Sequence, residues 1–149
     1  MQEKTFRELG LSDILLEALE KKGFKEPTPI QAATIPAVLQ DQRDIIGQAA
    51  TGTGKTAAFG LPIIDMIDPQ SKHIDVLVMS PTRELTLQVA NELNILKGEK
   101  KLVVTPIYGG QSLEKQKQQL KKVNNIIIGT PGRLMDHLRG KKLDLSEVQ

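Results

Sequence analysis

One short segment, in which glycines alternate with threonines before a lysine, constrains the fold of this chain more than any other. Ala49–Thr56 reads Ala-Ala-Thr-Gly-Thr-Gly-Lys-Thr and follows the apolar run Asp44–Gly47. Gly52 and Gly54 allow the backbone to curl so that successive N–H groups point inward, and a helix that begins here adds its positive end. The pattern therefore predicts a phosphate-binding loop between a strand and a helix.

The last two residues of this loop carry the chemistry. Lys55 can reach the β and γ phosphates of a nucleotide, and Thr56 can ligate Mg²⁺. The usual pattern begins with glycine where this chain has Ala49, but Gly-Lys-Thr and its flanking elements are in place. We predict nucleoside triphosphate binding, with a glycine-rich loop that binds no ligand as the weaker alternative. The predicted nucleotide-binding residues are Ala50, Thr51, Gly52, Thr53, Gly54, Lys55 and Thr56, of which the last two are the predicted catalytic residues.

Four short apolar runs indicate the fold class. They are Asp44–Gly47, Val76–Met79, Leu102–Tyr108 and Ile126–Ile128. None alternates polar with apolar residues, which is typical of parallel strands covered by helices on both faces. Helical patterns over residues 84–97 and 112–122 lie between them. The sequence predicts an α/β fold with a parallel sheet flanked by helices.

The N-terminal part of the chain predicts two helices. The first has Ser12 as its N-cap, and Gly23 lies where a left-handed residue ends a helix. The second begins at Thr28-Pro29, where Thr28 and Gln31 have the spacing of a capping box. Pro36 is expected to interrupt or kink this second helix.

The three later strands each run directly into a turn and a helix start. These segments are Ser80–Glu84, Gly109–Ser112 and Gly129–Arg133. The carboxyl ends of parallel strands meet at one edge of a sheet, where helix starts offer free N–H groups to anions. We expect more anion contacts there than one nucleotide requires. The alternative, compatible with the first, is that Thr82 and Thr130 only cap their helices.

Charge and aromatic content indicate what kind of anion this is. The net charge of +2 divides into −4 for residues 1–96 and +6 for residues 97–149, with most of the later lysines between Lys97 and Lys122. A polyanion is a candidate partner, although such a lysine run also suits a solvated helix face. With only three phenylalanines and one tyrosine, the chain has few rings on which bases could stack. We expect contacts to phosphates and sugars with little sequence preference.

Composition also excludes several classes of protein. The chain has no cysteine and two histidines, so a disulfide or thiolate site is excluded and a metal held by protein ligands alone is not expected. No apolar run approaches the roughly 18 to 20 residues that cross a bilayer, and the N-terminus lacks the pattern of a signal peptide. We therefore expect a cytoplasmic protein without membrane contact.

Five segments, taken together and in this order, resemble the first RecA-like domain of a DEAD-box RNA helicase. The resemblance spans nearly the whole chain, with the Q-motif region and N-terminal helices in residues 1–40 and part of the ATP-binding RecA-like P-loop domain in residues 41–149. The matching segments are Phe6 with Gly23-Phe24 and Pro27–Gln31 (Q motif), Ala49–Thr56 (motif I), Pro81–Leu85 (motif Ia), Gly109-Gly110 (GG motif) and Thr130–Arg133 (motif Ib).

The resemblance implies roles for particular residues. Gln31 would read adenine, Phe24 would stack on it, Thr28 would belong to the same site, and Thr56 would hold Mg²⁺ together with phosphates and water. Contacts to the RNA backbone would come from Pro81, Thr82, Arg83, Gly109, Gly110, Thr130, Gly132 and Arg133. The family usually has Ala at Thr86 and often Gln at Ala50, and neither departure touches an expected contact.

Two of these roles compete with structural ones. A capping-box Gln31 turned back to the Thr28 backbone uses the same side-chain amide as an adenine reader, so spacing cannot separate them. Phe24 has a similar alternative, as an aromatic ring that closes the core under the first helix.

The implied activity is that of an ATP-dependent RNA helicase, with RNA-stimulated ATP hydrolysis and local duplex unwinding by two domains that clamp one strand. The resemblance places the Asp-Glu-Ala-Asp motif, the central strands of the sheet and a second RecA-like domain beyond Gln149. The 149 residues are therefore expected to hydrolyse little ATP alone and to expose apolar sheet surface. The alternatives are another P-loop NTPase or small-molecule kinase, and a non-catalytic RNA- or protein-binding module.

Overall fold

A computed structural model describes residues 4–41 and 44–149 of the chain. The described residues form two compact units, of which the first comprises Met1–Ile67 with Glu92–Lys100 and the second Asp68–Asn91 with Lys101–Gln149. In chain order the elements are α1 (Asp13–Lys21), α2 (Pro29–Asp41), α3 (Lys55–Met66), β1 (Val76–Met79), α4 (Arg83–Leu96), β2 (Val104–Ile107), α5 (Leu113–Leu120), β3 (Ile126–Gly129) and α6 (Pro131–Arg139). No helix among the described residues is long and apolar enough to cross a membrane.

Helix α1 begins and ends where the sequence predicts. Ser12 occupies the N-cap position and Gly23 follows the helix with a left-handed φ of 77°. The Ser12 hydroxyl does not cap α1, because it donates to Asp65 Oδ1, while the Ser12 N–H donates to Asp65 Oδ2 at 3.0 Å. These bonds tie the start of α1 to the end of α3.

Helix α2 shows one of the two bonds of the predicted capping box and contradicts the predicted interruption. The Thr28 N–H donates to Gln31 Oε1 at 3.0 Å. The helix continues through Pro36 to Asp41. Ile35 is fully buried and α2 packs against α3, so tertiary contacts hold the helix across the hydrogen bond that the proline removes.

The core of the first unit forms where the helices approach closely. Leu15, Leu61 and Ile64 are fully buried. Gly60 makes one close approach possible, because a Cβ at this position would lie 2.5 Å from Leu93 Cδ2. The glycine thus lets α3 contact the last turns of α4.

Lys100 is structural, although the sequence places it in the lysine run of a candidate polyanion site. Its residue surface is only 7% exposed. Its ammonium donates to the carbonyl oxygens of Ile64 at 2.6 Å and Asp65 at 2.9 Å. A cation at these carbonyls satisfies the C-terminal end of α3 and its dipole. Lys100 is therefore not a surface charge for a polyanion.

The second unit contains a parallel three-stranded sheet in the order β1-β3-β2. Ile126 of β3 pairs with Val76 of β1 and with Val104 of β2. The predicted parallel α/β fold, with helices between the strands, is confirmed. β3 is buried along its whole length, whereas β1 is only half-buried and its Met79 is 68% exposed. The expectation that every strand is buried on both faces is therefore wrong for β1.

The buried core of the second unit includes residues of the sheet and of the elements that pack on it. Its members are Ile107, Ile127, Leu134 and Leu143. Leu134 belongs to α6, so this helix packs against the side chains of β2 and β3. The core thereby fixes where α6 begins, directly after the end of β3.

The predicted first strand, Asp44–Gly47, is not a strand in the structure. Residues 44–50 have no regular secondary structure, and Ile46 is fully exposed. A strand forms through hydrogen bonds to a neighbouring strand, and every strand pairing among the described residues joins β1, β2 and β3. The predicted anion-binding turns at the carboxyl ends of strands therefore follow β1, β2 and β3, whereas the phosphate loop does not follow a strand among the described residues.

Candidate nucleotide and nucleic-acid sites

Side chains hold the carbonyl groups of the phosphate loop. The Lys55 ammonium donates to the carbonyl oxygens of Ala49 and Ala50, the second at 2.8 Å. The Thr53 hydroxyl donates to the Ala50 oxygen at 2.6 Å. Lys55 is half-buried.

The start of α2 holds the other end of the loop. Thr28 Oγ1 donates to the Thr53 oxygen at 2.9 Å, and Gln31 Nε2 donates to the Gly54 oxygen at 3.2 Å. In a planar trans peptide the N–H points away from the C=O. Because the carbonyls are anchored to side chains, the N–H groups of the same peptides face the opposite way, which is the arrangement of an anion-binding loop.

Gly54 is required by this packing. Its φ is 81°, a left-handed conformation, and it is the N-cap of α3. A Cβ at this position would collide with Gln31 Nε2. Gly52 also has a positive φ, of 76°. The two glycines identified from the sequence are thus the residues whose backbone shape forms the loop.

The other predicted nucleotide residues lie in the same unit. Gln31 is 1% exposed and its amide makes both the capping box and the bond to Gly54, so the structural alternative for Gln31 is observed. Phe24 is 37% exposed, and its ring lies 6.4 Å from that of the buried Phe6 in an edge-to-face contact, so the ring packs on the core and is still partly open to solvent. Thr56 is the second residue of α3 and is half-buried.

The donor chemistry of the described residues limits any metal site. They contain no group of three or more histidine or acidic side chains that could hold a metal ion. The Thr56 hydroxyl at the start of α3 would supply one oxygen ligand to a Mg²⁺ whose other ligands came from phosphates and water.

In the second unit, three predicted anion-binding segments lie at one edge of the sheet. Pro81–Arg83 follows β1, Gly109-Gly110 follows β2 by one residue, and Pro131-Gly132 follows β3 after Thr130. All of these residues except Thr130 are exposed. Because the strands are parallel, their carboxyl ends meet at this edge. The structure thus brings together the residues that the sequence predicts for nucleic-acid contacts.

The threonines differ in whether they cap. Thr82 Oγ1 accepts from the Leu85 N–H at 3.2 Å, so Thr82 caps α4 as the structural alternative predicts. Thr130 occupies the N-cap position of α6 with Pro131 at the first turn, but its side chain makes no capping hydrogen bond. Both helix starts keep backbone N–H groups at the edge of the sheet.

Arg83 lies beside the glycine turn after β2. Its guanidinium carbon is 5.1 Å from the centre of the Tyr108 ring, which is a cation–π distance. Gly110 has a φ of 83°, and a Cβ there would lie 3.6 Å from Arg83 Nη1. Arg83 is exposed, so its remaining donors can contact a phosphate.

Arg133 has a different environment. Its Nη1 donates to the Gln111 oxygen at 3.0 Å and to Gln116 Oε1 at 3.1 Å, and its Nε lies 3.7 Å from Asp136 Oδ2. The side chain is only 15% exposed. Arg133 is therefore fixed by the protein, whereas Arg83 is open to solvent.

The sequence reasoning missed two buried polar residues that contact this arginine or its neighbours. Gln116 and His137 are each 1% exposed, and His137 Nε2 lies 2.8 Å from Gln116 Oε1. Burial lowers the pKa of His137, and the charge of Arg133 lowers it further. The sequence signal that could have indicated the burial of His137 is its position three residues after Leu134, which places both side chains on one face of α6.

Comparison with known proteins identifies the family. The sequence model of the DEAD/DEAH box helicase family matches residues 28–149. The chain belongs to this family. DEAD-box ATP-dependent RNA helicase CshA of Bacillus cereus is 54% identical over 97% of the chain, which covers 27% of that protein. CshA of Bacillus subtilis is 51% identical over 97% of the chain and 29% of that protein. The chain thus spans less than a third of the length of these relatives.

Solved structures of DEAD-box proteins have the same fold as this DEAD/DEAH box chain. A DEAD box protein from the hyperthermophile Methanococcus jannaschii matches 97% of the chain and 39% of its own length, with 45% identity and a TM-score of 0.92. Dbp5 of Saccharomyces cerevisiae, bound to RNA and ADP BeF3, matches 98% of the chain and 37% of its own, with 32% identity and a TM-score of 0.88. The RecA-like fold class and the family resemblance predicted from sequence motifs are confirmed.

Proposed function

We propose that this chain is the ATP- and RNA-binding part of an ATP-dependent RNA helicase whose sequence continues beyond Gln149 into a second RecA-like domain. The observation that carries the proposal is the phosphate loop, in which side chains hold the carbonyls of Ala49, Ala50, Thr53 and Gly54. A loop fixed in this way presents preformed N–H groups to phosphates. The Lys55 ammonium must leave the Ala49 and Ala50 carbonyls to reach those phosphates. The names of the longer relatives support the helicase assignment.

On the nucleotide side, the Lys55 ammonium binds the β and γ phosphates, and Phe24 and Gln31 contact adenine. The exposure of Phe24 supports its role, since a buried ring could not stack on a base. For Gln31, adenine binding requires the amide to exchange a backbone partner for the base. Thr56 would hold Mg²⁺, which supplies positive charge to the phosphates when it is bound.

On the RNA side, Arg83 and the N-termini of α4 and α6 contact phosphates and sugars along the sheet edge. The three segments supply backbone N–H groups and a guanidinium, which bind phosphate without reading bases. Among the described residues of the edge, Tyr108 is the only aromatic ring, and it is buried under Arg83. Little sequence preference is therefore expected. A cytoplasmic location belongs to the same proposal, because ATP and RNA are both available there.

The test is ATP hydrolysis with and without single-stranded RNA, measured on the 149 residues and on the longer protein that includes this chain. We expect RNA-stimulated hydrolysis by the longer protein, its loss in Lys55→Ala, and little hydrolysis by the 149 residues. Phosphate transfer to a small molecule would instead identify a kinase. RNA binding without nucleotide hydrolysis in the longer protein would identify a non-catalytic module.

A further inference from the structure

We infer that Gln116 is a positioning residue for the RNA path, because one buried amide fixes the Gly109-Gly110 turn relative to the first turn of α6. This inference rests on the proposed RNA-binding function. Gln116 is itself 1% exposed, so it acts through the groups that it holds and does not contact RNA directly.

The Gln116 amide makes four polar contacts. Its Nε2 donates to the Tyr108 oxygen at 2.9 Å and to Gln111 Oε1 at 3.2 Å. Its Oε1 accepts from Arg133 Nη1 at 3.1 Å and lies 2.8 Å from His137 Nε2. An amide nitrogen has two donors and an amide oxygen two lone pairs, so the hydrogen-bonding capacity of this side chain is fully used.

These contacts also fix the orientation of the amide and the tautomer of the histidine. The Tyr108 carbonyl can only accept and the Arg133 guanidinium can only donate, so the amide cannot be turned over without an oxygen–oxygen clash at Tyr108 and a clash of two donors at Arg133. The amide oxygen then faces His137, and this histidine must donate from Nε2. The lowered pKa of His137 agrees with a neutral ring.

The partners of Gln116 belong to two of the segments proposed to bind RNA. The Tyr108 carbonyl directly precedes Gly109, and Arg133 lies in the first turn of α6. Tyr108 also carries Arg83 over its ring. An unpartnered buried amide is costly, so the four contacts are kept or lost as a set. Gln116 thereby holds both segments in one arrangement relative to each other.

Two substitutions in the longer protein separate these contacts. Gln116→Met has similar length and removes every hydrogen bond. Gln116→Glu keeps acceptors for Arg133 and His137 but places an oxygen against the Tyr108 carbonyl. Gln118→Met, at an exposed position on the same helix α5, is the matched control.

The measurement is binding of a single-stranded oligouridylate at several salt concentrations, with a non-hydrolysable ATP analogue present. We expect Gln116→Met to weaken RNA binding about tenfold and Gln118→Met by less than about twofold. ATP affinity should be unchanged in both, since the phosphate loop lies in the other unit. In an Arg133→Ala background the effect of Gln116→Met should shrink, because the two residues act together. Gln116→Glu should also weaken binding, because it keeps the acceptor for Arg133 but loses the hydrogen bond to the Tyr108 carbonyl.

A ¹⁵N spectrum of His137 is the readout that a general loss of stability would not change. The Nε2–H of His137 should be hydrogen-bonded in the parent and in Gln118→Met, and loss of this hydrogen bond should shift the Nε2 resonance in Gln116→Met. The inference is wrong if Gln116→Met binds RNA as tightly as Gln118→Met, or if its effect is additive with Arg133→Ala. If Gln116→Met does not fold, wild-type affinity in Gln116→Glu overturns the inference instead. Failure of the parent protein to bind oligouridylate would refute the proposed function itself.

Discussion

Replacement of Lys100 with methionine tests whether a buried ammonium caps α3. Methionine preserves most of the length and apolar surface of the lysine stem but cannot donate a hydrogen bond. The substitution leaves the carbonyl groups of Ile64 and Asp65 without this donor at the end of the helix. It also removes a cation from the negative end of the α3 dipole.

The size of the effect follows from these contacts. A hydrogen bond to a charged group contributes about 1.5 to 3 kcal/mol, and a cation near a helix C-terminus about 0.3 to 1 kcal/mol at an exposed site and more when partly buried. The two hydrogen bonds share one ammonium and are not additive, and the methionine recovers some apolar burial. We expect the free energy of unfolding to fall by about 2 to 4 kcal/mol.

The assay is urea denaturation followed by circular dichroism, with Lys101→Met as the matched control. Lys101 is the next residue and is exposed, so its replacement should change the free energy of unfolding by less than about 0.5 kcal/mol. In the longer protein, Lys100→Met should leave the salt dependence of RNA binding unchanged. The reasoning is refuted if the two variants are equally stable, or if Lys100→Met alone flattens the salt dependence.

Three other predictions concern the two candidate sites. Lys55→Ala should abolish triphosphate binding measured by titration and leave the circular dichroism spectrum nearly unchanged; loss of structure would mean that the contacts to the loop carbonyls hold the fold. Gln31→Ala should reduce the preference for ATP over GTP, and unchanged discrimination would assign the amide only to its bonds with the Thr28 N–H and the Gly54 carbonyl. The pKa of His137 is lower in the folded chain than in the unfolded chain. As the pH falls below about 6.5, the unfolded chain therefore takes up a proton at His137 before the folded chain does. Stability should therefore fall from pH 7 to pH 5.5 by at most about 1.4 kcal/mol per pH unit, and His137→Gln should remove this contribution.

Local patterns were sufficient for most of the elements and for the phosphate loop. The glycines of the loop and the bond between Thr28 and Gln31 depend on residues close together in the chain, so spacing predicts them. The run Ile126–Ile128 similarly predicts a buried parallel strand.

The features that the sequence did not predict correctly depend on residues that lie far away along the chain. Asp44–Gly47 has the composition of a strand, but a strand requires a neighbour that composition does not specify. Lys100 has the appearance of one more surface lysine, and only its contact with α3, 35 and 36 residues earlier, makes it a cap. Gln116 contacts Arg133 and His137, which lie 17 and 21 residues later in the chain. The spacing of residues so far apart does not predict whether they are in contact.

The attachment of the phosphate loop to the start of α2 has a consequence for local unfolding. Thr28 and Gln31 hold carbonyls that lie 25 and 23 residues later in the chain, so α2 cannot open at its first turn without releasing the loop. A ligand that binds only the closed loop raises the free energy of this opening by about 2.7 kcal/mol at a hundred times its Kd. Amide hydrogens in the first turns of α2 would then exchange about a hundredfold more slowly. A helix that touches no phosphate would thus report nucleotide occupancy through its rate of hydrogen exchange.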